Sequence, residues 1–409
     1  MRRILYEIHG AEPGPALVGI GGMHGNEPAG IQALERIGRR LEKVGVRRGG
    51  FVAVAGNLPA LEAGSRFLDH DLNRIWEDGA PEASREYLEM TELQELLDRI
   101  LENARGPVRL VDLHTTSGEG PPFTATADLL LNRDFALLLP VPMVLGLSEA
   151  LPGTLIQSLV GSPVAGMAFE AGLHEDPESV RRSEDALVLL LSGLGICRFE
   201  PGAAMEARSR LEAAGRGHPR ALHLTHRHGL RPSEGFSMHP GFRSFQPVRR
   251  GDVIATTGGG EVRAPSSGRL LLPLYQSSGE DGFFLGTPVA SRWLRLSEWM
   301  RRVRADRYLR FVPGFRVEPA DPHRLRVHLR LFRVLPARFF FLLGYRPDGG
   351  RGGWVVLRRD PEPGEDIVPG GLAARGRRNP SGKQRGAVLV RGGANRDEPV
   401  GQGEGEDGA

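Results

Sequence analysis

The sequence predicts an α/β domain with a mostly parallel or mixed sheet flanked by helices, followed by a smaller all-β domain. Three observations carry this expectation. Over the first two hundred residues, short apolar runs alternate with stretches of helical periodicity. From about Gly202 the texture changes to short segments rich in β-formers and punctuated by Gly and Pro. At 409 residues, 40% of them hydrophobic, the chain has room for two domains and material for a real core.

Taken in order, the runs at 3–8, 16–21, 51–55, 108–113 and 165–169 read as buried strands. Between them, 28–41, 84–101 and 177–192 read as helices, the second carrying Leu88, Leu93, Leu96, Leu97 and Ile100 at helical spacing. In sheets of this kind ligands bind beyond the carboxyl ends of the strands. His24, His114 and Glu170 fall at or just past such ends. The expected organisation is an α/β domain over 1–200, a smaller β-domain over 201–310 and a β-rich extension over 311–360. In that extension the stretch 323–345 alternates Arg or His with apolar residues, as a half-exposed strand pair would. Residues 361–409 are Gly, Pro, Arg and acid with few large apolar groups, a composition expected to stay disordered.

Composition excludes several function classes. The formal net charge is only +3, and Lys43 and Lys383 are the only lysines. Arginine is spread along the chain beside acids rather than gathered in a stripe, which argues against nucleic-acid binding. Cys197 is the only cysteine, so neither an intramolecular disulfide framework nor a cysteine-rich zinc site is available. It lies in the apolar run "ALVLLLSGLGIC" and reads as a buried structural thiol. The start "MRRILYEIHG" lacks the apolar core of a signal peptide. The greasiest region, 129–151, is broken by Asn132, Arg133, Asp134, Pro140 and Pro142, so a cytoplasmic protein that does not cross a membrane is expected.

The chemistry gathers around "GGMHGNEPAG" and "VDLHTTS". His24 and Glu27 are three apart, close enough for one turn to aim both at one point, and His114 stands beyond another apolar strand. Two histidines and a glutamate form one of the standard three-ligand catalytic zinc sets, with a fourth position left for water. Zinc lowers the pKa of that water from 15.7 to about 7. Asp112, two residues before His114, is placed to fix its imidazole. A loop histidine beside a helix-capping glutamate is the plainer reading of His24 and Glu27 taken alone.

Four segments in order and spacing, "GGMHGNEPAG", "GNLPALEAGSRFLDHDLNRIW", "VDLHTTSGEG" and "FEAG", resemble the aspartoacylase/succinylglutamate desuccinylase family, relatives of the zinc carboxypeptidases. The resemblance covers roughly the first 175 residues. It implies a zinc-carboxypeptidase-like mixed sheet, one Zn2+ held by His24, Glu27 and His114, and Glu170 as general base. It further implies Asn73 and Arg74 as a clamp for a substrate carboxylate and Arg66 as the cation facing the developing oxyanion. An arginine fork suits both tasks. The plainer alternative for "DLNR" is a turn with an Asp71–Arg74 ion pair. For Glu170 it is a helix-start acid, a role that Glu175 and Asp176 serve better. More loosely, "APSSGRLLLPLYQSSGEDGFFLG" resembles the family's C-terminal β-domain, where a tyrosine reaches over the active-site mouth. Tyr275 is the matching position and is equally readable as a packed barrel residue.

The expected activity is zinc-dependent hydrolysis of an N-acyl amino acid to a carboxylate and a free amino acid, by zinc-bound hydroxide with a glutamate base. The alternatives are a carboxypeptidase acting on short or modified peptides and a non-catalytic zinc or metabolite binder. The expected partner is a small-molecule substrate, neither nucleic acid nor membrane, with homo-oligomerisation open. Some aspartoacylases carry an additional arginine shortly before the base glutamate, and "SLVGSPVAGMAFE" has none, which argues for a different acyl group or side chain. The Gly-rich "AP-SG" texture is shared with biotinyl and lipoyl carriers, but no lysine lies between Lys43 and Lys383 to accept the group. His223, His226 and His228 read as solvated or partly buried strand histidines.

Overall fold

The computed structural model describes residues 1–362 except 78, 232, 319, 320, 335, 336 and 352. The tail expected to be disordered lies, from residue 363 on, outside the described residues.

Strands β1 (Ile4–His9), β2 (Glu12–Gly21), β3 (Arg48–Ala55), β4 (Val108–Thr116), β5 (Phe123–Thr126), β6 (Met143–Leu145), β7 (Ala165–Leu173) and β8 (Ala221–Gly229) form most of one large sheet. Four short strands follow: β9 (Ser237–Met238), β10 (Pro247–Val248), β11 (Val253–Thr257) and β12 (Gly260–Arg263). Then come β13 (Gly268–Leu271) and β14 (Asp281–Pro288). The large sheet has eleven strands in the order β1-β3-β2-β4-β7-β5-β6-β8-β14-β13-β10. Its centre is parallel from β3 through β2 and β4 to β7, with β5 antiparallel to β7. The mixed α/β architecture matches the expectation. The sheet also runs without a break past residue 200, because β8 pairs in parallel with β6 and carries β14 and β13 beside it.

The central strands read as continuous apolar runs because they are buried on both faces. Phe51 and Ala53 of β3 join one core, and Val52 and Val54 join the other. On β4, Val111 and Leu113 alternate in the same way with Val108 and Leu110. Helices α1 (Ala29–Val44) and α7 (Pro177–Gly193) cover the first face, with α1 burying Leu34, Ile37 and Leu41 at helical spacing. The helix Arg85–Asn103 covers the second through Leu93, Leu96 and Leu97. Leu88, grouped with these in the periodicity, is 61% exposed; the buried stripe instead starts at Met90. Cys197 is buried in the first core, as expected.

The segment after residue 200 opens with a helix, Ala203–Ala214, which packs on α7 through Ala207 and Leu211. Its run of alanines, a strong helix former, carries that local preference. Beyond it, β12-β11-β9 make a three-stranded sheet, and residues 315–358 contribute a four-stranded sheet. Only the first part of the stretch 323–345 is strand, up to His328; helices Leu329–Val334 and Ala337–Leu342 follow. The alternation itself runs on to Leu331, inside the first helix, and breaks only beyond it, where Phe339, Phe340 and Phe341 are consecutive, a pattern no half-exposed strand carries.

Candidate active site

The loop that leaves β2 carries the first two functional side chains. Gly22 adopts φ +70°, which turns the chain sharply off the strand. A Cβ on Gly25 would lie 2.0 Å from the backbone carbonyl of Ala60, so only glycine lets the two segments touch. His24 and Glu27 thereby sit buried at the carboxyl end of β2, just ahead of α1. His114 reaches the same point from the end of β4, whose apolar side chains anchor it in both cores.

The three donors converge. Nδ1 of His24 lies 2.7 Å from Glu27 Oε1, and Nδ1 of His114 lies 3.1 Å from Glu27 Oε2. Among the described residues, His24, Glu27 and His114 are the only such donor group able to hold a metal ion, with ligand atoms within 4.8 Å of one another. Each imidazole is held from behind by a buried carboxylate. Asp71 Oδ1 is 3.1 Å from His24 Nε2, and Asp112 Oδ2 is 2.8 Å from His114 Nε2. With the outer nitrogens held by carboxylates, both Nδ1 atoms face the centre, where each would offer a lone pair to a dication. Asp112 therefore occupies the place its spacing suggested. Burial works against the charge of Glu27, but His24 and His114 outweigh it and hold its pKa well below the ordinary value.

The loop "RFLDHDLNR" folds over this centre. Asp71 caps a short 3-10 turn, Leu72–Arg74, by accepting from the Asn73 N–H at 2.9 Å. It also takes the Arg66 guanidinium through Nε at 3.2 Å and Nη2 at 2.9 Å, so its arginine partner is Arg66 rather than Arg74. Arg66 Nη1 is 3.6 Å from Glu27. Asn73 accepts the Leu155 N–H at 2.9 Å and turns its amide nitrogen toward His114 Nε2, 3.5 Å away. Arg74 is engaged by the chain itself, donating to Asp281 Oδ2 at 3.2 Å and to the Asn73 carbonyl at 2.8 Å.

Glu170 is the residue paired with His114 in the register of β4 and β7. Its Oε2 is enclosed and has no hydrogen-bond partner among the described residues. Burial raises its pKa to about 8; Glu27 and Asp112 push the same way, while His114 and Arg66 pull back. It is no helix cap: Asp176 caps α7, accepting from the Glu178 N–H at 3.0 Å.

These side chains line one cleft of about 910 Å³, counted with the space open to solvent, and residues 272–284 form its opposite wall. The structure brings His24, Glu27, Arg66, Asn73, Arg74, His114 and Glu170 together there, and leaves Tyr275 out. The Tyr275 phenol donates to the His239 carbonyl at 2.7 Å and accepts from the Phe242 N–H at 2.9 Å, so it ties a surface turn. Its neighbour Gln276 faces the cleft instead, with Oε1 3.3 Å from His174 Nε2 and accepting from Asn26 at 3.2 Å. Sequence reasoning missed His174, Gln276 and Asp281: His174 directly follows β7, the strand that carries Glu170, whereas Gln276 and Asp281 are brought to the site by long-range packing. Glu86 was also not anticipated. Wholly buried, it accepts the backbone N–H groups of Leu68, Asp69 and His70 at 2.7, 3.0 and 3.1 Å and the Asn57 amide at 3.2 Å. It lies under the loop that carries Arg66, Asp71, Asn73 and Arg74. The histidines at 223, 226 and 228 pack against rings, His228 stacking on Phe283 at 4.9 Å.

A three-donor cluster at the carboxyl ends of the central strands of a mixed sheet defines the class of scaffold. Residues 13–121 match the succinylglutamate desuccinylase/aspartoacylase catalytic domain, in agreement with the resemblance that the motifs carry. The fold is similar to that of a succinylglutamate desuccinylase/aspartoacylase from Rhodobacter sphaeroides (18% identity, TM-score 0.53, covering 68% of this chain and 87% of that one). It is equally similar to the product-bound ectoine utilization protein EutE (DoeB) from Ruegeria pomeroyi (20% identity, TM-score 0.53, covering 69% and 87%). No curated protein matches the chain by sequence. No helix among the described residues is long and apolar enough to cross a membrane.

Proposed function

We infer that the chain hydrolyses the amide bond of an N-acyl amino acid with a single zinc ion held by His24, Glu27 and His114. The observation that carries this reading is the three-donor centre with a carboxylate behind each imidazole, set beside a buried carboxyl whose free oxygen has no structural partner. Two neutral imidazoles and one carboxylate fit a catalytic zinc site, which keeps one position open. When bound, a zinc ion there supplies Lewis acidity and makes a water acidic enough to ionise near neutral pH.

The remaining work falls to the chain. Glu170 takes a proton from the attacking water and hands it to the departing amine nitrogen, so that the new C–O bond forms and the C–N bond breaks with charge balanced. Burial raises the pKa of that carboxyl above the ordinary glutamate value, which favours its taking up the proton. Arg66 stabilises negative charge on the carbonyl oxygen, and Asp71 fixes both that guanidinium and the His24 ring. Asn73 and Arg74 orient the substrate carboxylate. On this reading residues 1–200 are the catalytic domain, and residues 201–310 are a cap whose 272–284 segment narrows the mouth to small substrates.

The test is release of free amine from a panel of N-acyl amino acids by zinc-loaded protein, with Glu170→Gln alongside. Loss of nearly all turnover with zinc retained is expected; undiminished turnover in that variant removes Glu170 from the mechanism.

A further inference from the structure

The cleft is chemically two-sided. Toward β2 and β4 it is lined by the charged groups described above, and Asp281 at the start of β14 adds another, whereas the patch between β5, β7 and the inner part of β14 is hydrocarbon. Ala125, Leu147, Leu151, Ala168, Leu272 and Phe284 all line it, and all six belong to one apolar cluster. Alternation along β7 places Ala168 on the same face as Glu170, so the hydrocarbon wall begins directly beside the proposed base. Ala168 and Ala125 are register partners across β7 and β5. Two alanines opposite one another leave a hollow that larger side chains would fill.

The cations of the cleft are already neutralised. Arg66 is paired with Asp71, and Arg74 with Asp281, whose other oxygen takes Arg227 Nε at 2.5 Å. Glu280 lies 3.6 Å from Arg74 Nε. One substrate carboxylate can compete for Arg74, but the hydrocarbon wall offers nothing to a second. Of the polar residues that line the cleft, Ser148 adjoins Leu147 in sequence and Thr154 follows Leu151, and the Thr154 hydroxyl is engaged in capping the helix Leu155–Ser158.

Building on the hydrolase reading above, we propose that the substrate carries an apolar group of about four or more carbons beside the scissile amide, seated on this wall, rather than a second carboxylate. The group belongs either to the acyl chain or to the amino-acid side chain, and two substrate series separate these sources. One runs N-acetyl-, N-butyryl-, N-hexanoyl- and N-octanoylglycine; the other runs N-acetylated glycine, alanine, norvaline and norleucine. N-acetylaspartate and N-succinylglutamate serve as dicarboxylate comparisons.

With zinc-loaded full-length protein, kcat/KM is expected to rise about fourfold per added methylene in one series. Both dicarboxylates should fall at least tenfold below its best member. Ala125→Leu should flatten that slope by filling the hollow. Leu147→Ser should flatten it by making the wall polar, which keeps the test open if the first variant fails to fold. Asp281→Asn should narrow the gap to the dicarboxylates by releasing Arg74. Flat series, or a dicarboxylate turned over best, overturn the proposal while leaving the hydrolase reading intact. If no substrate releases amine, the hydrolase reading fails and calorimetry decides the pocket. Octanoate or norleucine binding more tightly than succinate and aspartate upholds the apolar site, and any other order overturns it.

Discussion

Glu86 offers the sharpest test of how the site is built. Its two oxygens accept four hydrogen bonds: Leu68 N–H and the Asn57 amide on Oε1, Asp69 and His70 N–H on Oε2. Burial alone would raise its pKa, yet these donors outweigh the penalty and lower it, so the group is held as a carboxylate. Glu86→Gln preserves volume but turns an NH2 toward one pair of donors. Two N–H groups then lose their acceptor at about 1–3 kcal/mol each, less whatever water recovers at the exposed residues 69 and 70. A net loss of about 2–4 kcal/mol is expected. Urea unfolding reads that loss as a lower midpoint at unchanged slope. Because the loop carries Arg66 and Arg74 while His24 and His114 are anchored on other elements, kcat/KM should drop about a hundredfold with zinc still bound. A variant as stable and as active as the parent would show that the loop does not depend on this carboxylate, refuting the reasoning.

Other outcomes follow from the same geometry. Asp112→Asn should weaken zinc binding about 10- to 100-fold, read by competition with a chelator, because His114 loses the acceptor that fixes its ring. Glu149 is buried, accepts the Asp128 N–H at 2.8 Å, and has its pKa raised to about 7 by burial, with Asp360 and Asp128 adding to the rise and Arg346 opposing it. The folded protein thus holds this proton more tightly than the unfolded chain. Stability from this group is fully present below pH ~4.5, falls as pH rises to ~7 and then stays level. Glu149→Gln should accordingly stabilise the protein by about 3 kcal/mol at pH 8 and by little at pH 4, measured by urea unfolding at both. An equal effect at both pH values would exclude Glu149 as the titrating group.

The parts of the fold legible in the sequence are those where local pattern and burial agree. Residues 51–55 of β3 are apolar at every position and β4 carries Leu110, Val111 and Leu113 because both faces are covered, and α1 carries its core at helical spacing. The donors at 24, 27 and 114 were legible because glycine-rich turns and strand ends announce them. What stayed hidden depends on contacts distant in sequence. Glu86 looks like any acid in a helix's first turn, and its partners at 57 and 68–70 are joined to it only by folding. Asp281 reaches Arg74 across 207 residues, and His174 and Gln276 meet across 102. The continuity of the sheet past residue 200 was equally unreadable, since no composition signal says that β8 will pair with β6. Which residue of the irregular segment at 272–280 faces the cleft was equally unreadable: Gln276 lines it, whereas Tyr275 ties a surface turn.

The central claim, a metal centre at His24, Glu27 and His114 that drives amide hydrolysis, is tested most directly by metal analysis of the purified chain paired with amine release. The account predicts about one zinc per chain, amine release lost on chelation and restored by zinc. A chain that binds no zinc, or one whose amine release is indifferent to chelation, would contradict it.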